Sequence, residues 1–252
     1  MASVTMSPAT AAARGPLSTA ARIYIAAVIT AGGAAIALSV PSVYPWTPSA
    51  TTALTAMVVV SLFKLRLRVG PARATMTMAQ FVDFWMIATA GADVATTIAV
   101  AGVLVQCLIN VRQPQPWYRT AFSVGVIALA VRAAAYTWFV FGGAEAEGVA
   151  TAAVALGTAA LVYFVVNSGL VAWVIAETNG ERPIECWRRR FLGTAPASLI
   201  AAAAVVIVRQ SLLPGPVSMA ALALAIAICY GVYARVIALN KSPQRNDRRV
   251  FT

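Results

Sequence analysis

The chain is a series of apolar runs, most of them long enough to cross a bilayer, separated by short polar links. The runs fall at about 22–40, 49–63, 76–111, 120–141, 149–176, 191–208 and 217–239. A helix rises ~1.5 Å per residue and the hydrocarbon core is ~30 Å thick, so ~20 apolar residues span it. With 60% hydrophobic and 11% charged residues and a mean hydropathy of +0.80, the chain carries more apolar surface than a water-soluble fold of this size can hide. The expected fold class is all-α, a polytopic transmembrane helical bundle of about 7–8 segments. The transmembrane domain, 19–240, lies between a disordered polar tail at 1–18 and a basic cytoplasmic tail at 241–252. No polar stretch is long enough to form a second domain.

The run 76–111 is too long for one crossing, and Gly91-Ala92-Asp93 interrupts it near the middle. It reads as a broken or hairpin segment, with halves at about 76–90 and 93–110; one long tilted helix is the alternative. Charge parity favours the hairpin. Basic links at 64–73, 112–119 and 177–190, together with the tail, alternate with the uncharged link 41–48 and the acidic link 144–148. Lys and Arg excess marks the cytoplasmic side. All the basic links share one side only if 76–111 enters and returns, which places both termini in the cytoplasm of a bacterial inner membrane. Within 64–73, Lys64 to Val69 alternates charged and apolar residues before Gly70-Pro71, which predicts a short extended segment with a basic edge. A signal peptide over 22–40 is the rival of a retained first helix, and the length of that run favours the helix.

Ionisable residues inside apolar runs are expensive and serve as first candidates for function. They are Asp83, Asp93 and Arg132. Arg132 lies near the middle of 120–141 and calls for a carboxylate or carbonyl partner; of the two carboxylates, Asp83 is the better placed if the hairpin enters deeply. The three could form a ligand or proton site, or simply a structural ion pair with Asp93 capping a short helix. Gln106, Asn110 and Asn167 are amides suited to bonding between helices, and Asn167-Ser168-Gly169 makes a small polar notch for close helix approach. Arg66, Arg68, Arg188, Arg189 and Arg190 form the expected cytoplasmic basic surface, available to anionic lipid or to a cytoplasmic partner.

Other chemistries have little to stand on. There is no histidine, and the three cysteines, Cys107, Cys186 and Cys229, are far apart, so neither a metal site nor a disulfide framework is expected. Gly32-Gly33 and Gly142-Gly143 lack the residues of a phosphate-binding loop. The only lysines, Lys64 and Lys241, lie at helix ends, against a Schiff-base cofactor inside the bundle. A net charge of +11 without aromatic residues interleaved on a basic face points to membrane links rather than nucleic acid. The expectation is a non-enzymatic protein without cofactor.

One longer pattern is familiar. It consists of a basic alternating strip, a short run with an internal Asp, a glycine break, a helix ending in Gln and Asn, and an Arg-rich link with YRTAF. A helix ending Gly-Gly follows, then LVYFVVNSGLVAWVIAETNGERPIECWRRRFL. Over roughly 20–240 this resembles the N-terminal membrane sensor region of bacterial signalling proteins that carry HD-GYP phosphohydrolase or GGDEF cyclase domains downstream. The closest stretch is 163–192, with Asn167 and Trp187. The resemblance implies a sensory module that binds a small ligand or senses membrane state and signals to a cytoplasmic protein. Two features depart from it. Phe122-Ser123 stands where that pattern has Phe-Asn, and no HD, GYP or GGDEF motif occurs before Thr252, so this chain is not expected to make or break a cyclic dinucleotide. A fainter similarity, to substrate-binding membrane subunits of energy-coupling-factor transporters, implies a small-molecule transport role with separate transporter subunits.

Overall fold

The computed structural model describes residues 17–40, 47–62, 65–69, 72–76, 79–109, 116–145 and 148–210. Asn110, the last apolar run, the C-terminal tail and residues 1–16 lie outside them; Leu17 and Ser18, expected in the disordered tail, lead into the first helix. In chain order the elements are α1 (Thr19–Ser39), α2 (Pro48–Leu62), β1 (Leu65–Val69), β2 (Ala72–Met76), α3 (Ala79–Leu108), α4 (Trp117–Val140), α5 (Val149–Asn179), α6 (Pro183–Arg190) and α7 (Ala195–Gln210). Five stretches are helical, long enough and apolar enough to cross a membrane: α1, α3, α4, α5 and Pro183–Arg209; α2 is apolar but shorter. The chain is thus a helical, multi-pass membrane protein. The extended segment expected after α2 is an antiparallel hairpin in which Arg66 pairs with Thr75 and Arg68 with Arg73.

Helix ends follow local chemistry. Ser18 caps α1, its Oγ accepting from the Ala21 amide at 3.1 Å. Gly180, at φ 67°, closes α5 in the left-handed conformation that glycine adopts without strain. Pro183 then opens α6 at a position where a missing N–H costs nothing. The charged stretch 177–190, expected as a loop, is therefore the end of one helix and the whole of another.

α4 is the centre of the bundle: 56% of its spanning window is buried, against 22% for α1. Cross-contacts fix the directions. Ser18 Oγ donates to Glu177 Oε1 at 2.9 Å, and Tyr24 stacks on Trp173 with ring centres 3.9 Å apart, so α1 and α5 are antiparallel. The short link 141–148 makes α4 antiparallel to α5. Arg209, near the end of α7, reaches back to the Gly143 carbonyl at 3.2 Å and lies over Trp138. The bundle thus has a Ser18 end, holding the starts of α1, α4 and α7, and an opposite Val140 end.

Within α3, Gly91 has φ 85° and ψ 177°, which breaks the helix into two. Asp93 pairs with Arg132, 15 residues from Trp117. From Asp93 to Leu108 is another 15 residues. At ~1.5 Å per residue, a second half running away from Trp117 would leave the two ends ~45 Å apart. Residues 109–116 can bridge only ~30 Å. The second half therefore heads back to the Ser18 end. α2 runs the same way, since a Cβ at Gly102 would lie against Met57 and Ser61, and Gln106 Nε2 donates to Ser61 Oγ at 3.3 Å. The first half starts from that end too, with Gln80 beside Ser198 in the first turn of α7 (3.4 Å). α3 is a broken segment, not one straight tilted helix.

Candidate functional site

The two carboxylates of α3 are held in opposite ways. Asp93 follows the Gly91 break and takes Arg132 Nη1 of α4 at 2.5 Å. About a third of each side chain is exposed, 34% for Asp93 and 30% for Arg132. This corrects the expectation that Asp83 is the better partner for Arg132. The reason is depth: the turn at Gly91 carries Asp93, rather than Asp83, to the level that Arg132 occupies eight residues before Val140. The pair satisfies Arg132, the only charged residue in the apolar run 120–141, and the helix break gives Asp93 an N-terminal position that favours negative charge.

Asp83 lies in the first half of α3 and is 3% exposed. Tyr163 of α5, itself 1% exposed, donates its hydroxyl to Asp83 Oδ2 at 2.9 Å. Phe84 meets the Tyr163 ring edge-on, with centroids 5.2 Å apart. Asp83 Oδ1 is buried without a hydrogen-bond partner. Sequence reading missed Tyr163. The available signal was a phenol inside an apolar run, whose hydroxyl needs a partner when buried.

The amides divide. Gln106 bonds across to α2, as expected. Asn167 is half-buried on α5. Its neighbour Ser168 does the linking: Trp187 Nε1 of α6 donates to Ser168 Oγ at 2.7 Å, and Trp187 tilts against Phe164. The notch at 167–169 thus receives an indole rather than a helix backbone, and a Cβ built on Gly169 would meet nothing within 4 Å.

Of the expected basic surface, Arg190 bonds Glu181 at 3.0 Å, and Arg189 approaches Glu185 only to 3.9 Å, with both side chains mostly exposed. Arg188 is exposed. Arg66 and Arg68 lie on β1. An open groove on α2 is lined by Thr51, Thr52 and Thr55. Their hydroxyls donate to carbonyls of Thr47, Pro48 and Thr51, which leaves the groove without free donors. Among the described residues no group of three or more His, Cys, Asp or Glu could hold a metal ion.

No protein-family model matches the chain, and no curated protein and no solved structure is significantly similar to it.

Proposed function

We propose that this protein is a sensory input module of the bacterial plasma membrane, non-enzymatic, which binds a small ligand or registers membrane state and signals at its cytoplasmic face. The observation that carries the reading is the break at Gly91, where Asp93 of α3 is tied to Arg132 of α4. Broken backbone at membrane depth is tolerated where it lines a protein-enclosed or wet cavity. A charged pair that ties one side of the break to α4 gives an element that can be biased between two arrangements, which is what a switch requires. The resemblance of 163–192 to sensor regions of HD-GYP and GGDEF proteins agrees with this.

We place the Ser18 end in the cytoplasm. It gathers Arg22, Arg119, Arg182 and Arg188 to Arg190, and the hairpin after α2 adds further basic residues. The Val140 end holds Glu145 and Arg209. Counting the two halves of α3 as entry and return, and taking the apolar run 217–239 from the sequence alone as a last crossing, gives eight segments with both termini inside. An impermeant maleimide should label a cysteine at position 145 from outside, and cysteines at 66 or 188 only once the inner face is opened. External labelling at 66 would overturn the orientation.

The switch itself is tested with spin labels at positions 90 and 136, both exposed near the break. Two distances should appear, and Arg132→Gln should change their ratio. One unaltered distance would remove the basis for sensing. A transport role, the second reading, rests on the same broken helix, since transporters bind substrates at such breaks. It requires position 90 to become reactive from both faces in turn; a sensor needs access from one.

A further inference from the structure

We propose that Asp83 and Tyr163 form a binding site for one small positive charge taken from water, either a proton or a sodium ion. The proposal goes beyond the sensory reading and does not depend on it.

The argument is one of unmet demand. Asp83 is 97% removed from solvent (3% exposed), yet its carboxyl has a single partner, the Tyr163 hydroxyl on Oδ2. Oδ1 faces no donor. A buried charge survives only when paired, and a buried polar atom without a partner carries its full desolvation penalty. Among the described residues no cation is paired with it. From the elements packed on α3, Arg132 of α4 is taken by Asp93. Arg209 of α7 is engaged by Trp138 and the Gly143 carbonyl at the Val140 end. Arg22 and Arg119 stand in the first turns of α1 and α4, at the Ser18 end, as does Glu177 of α5. α2 has no ionisable side chain. Only Tyr163 makes a hydrogen bond or ion pair with Asp83 among the described residues.

Polar groups continue from the site along the bundle. Gln80 and Ser198 stand one turn away towards the Ser18 end, 3.4 Å apart, and Ser198 is itself buried. They continue the polar line from Asp83 towards the Ser18 end. A proton adding to Oδ1 converts the carboxylate to a neutral carboxyl while Tyr163 keeps its bond to Oδ2. A sodium ion would instead sit against Oδ1 as a counter-charge. In either case the bound charge lets the first half of α3 stay packed on α5.

The test uses the full chain in lipid nanodiscs, with aspartate carbon-13-labelled at the side-chain carboxyl. Infrared spectra are compared in choline chloride and in sodium chloride near neutral pH. A bound proton predicts a protonated-carboxyl band in choline that is lost in Asp83→Asn and shifts in Tyr163→Phe. Bound sodium predicts an ionised Asp83 whose band moves when sodium replaces choline, with a rise of several degrees in melting temperature that Asp83→Asn abolishes. The wild-type spectra stand alone should a variant fail to fold. An ionised Asp83 band indifferent to sodium overturns the proposal.

Discussion

Gly32 of α1 lies so close to Gly125 of α4 that a Cβ built on Gly32 would fall 2.2 Å from the Gly125 Cα. The two backbones touch with no side chain between them, as small residues permit where membrane helices cross. A Cβ at Gly125 would in turn sit 2.7 Å from the Val28 carbonyl oxygen, backbone that cannot step aside.

Gly32→Ala should therefore destabilise by ~1–3 kcal/mol, the usual penalty of overpacking. Its neighbour Gly33 has nothing within 4 Å of such a Cβ. Gly33→Ala should be neutral or stabilise by up to ~1 kcal/mol through helix propensity. Melting in detergent compares the two, and equal losses would mean that the close crossing is absent.

Gly91 tests conformation rather than space. A Cβ there meets nothing within 4 Å, but φ 85° with ψ 177° is a region that glycine alone occupies freely. Gly91→Ala should cost ~1–3 kcal/mol and straighten α3. A label pair at positions 90 and 136 reports the straightening; an unmoved distance with unchanged stability would show that the break is held by its neighbours.

The Arg132–Asp93 pair predicts a selective coupling. Removing one partner of a fully buried pair costs ~3–5 kcal/mol, and the partial exposure here should reduce that. Arg132→Leu and Asp93→Leu should each destabilise, and the double variant should recover much of the loss. Arg132→Leu with Asp83→Asn should be additive, because those side chains do not meet. Coupling of Arg132 to Asp83 instead of Asp93 would refute the turn at Gly91.

Trp187 fastens α6 to α5 through one hydrogen bond and its ring. Trp187→Phe should lose ~1–2 kcal/mol, mostly by leaving Ser168 without its donor. Ser168→Ala on top of it should add little. In a chain whose only cysteine is the buried Cys186, both changes should speed alkylation as α6 loosens. Unchanged alkylation would mean that Phe191 and the rest of the apolar contact hold α6 by themselves.

The one-dimensional pattern was enough for the solvent of the fold. Run lengths report bilayer thickness, and the Gly91-Ala92-Asp93 interruption was visible because glycine and aspartate both disfavour a helix interior. The period-two strip after α2 announced its extended backbone, and an arginine in an apolar run announced a carboxylate or carbonyl partner. Each of these signals is local, or depends only on order along the chain. Which carboxylate answers Arg132 is different. Asp83 and Asp93 are ten residues apart and chemically identical, and the choice turns on depth and rotation after the chain reverses at Gly91. The helix α6 was hidden because its inward side is little more than Cys186 and Trp187 among charges, too short a stripe to show a period. Tyr163 and Ser168 became partners of Asp83 and Trp187 only when α5 was set against α3 and α6. Packing decides such contacts because a buried polar atom takes whichever partner the neighbouring helix face presents, and that face is fixed by the summed fit of many apolar side chains.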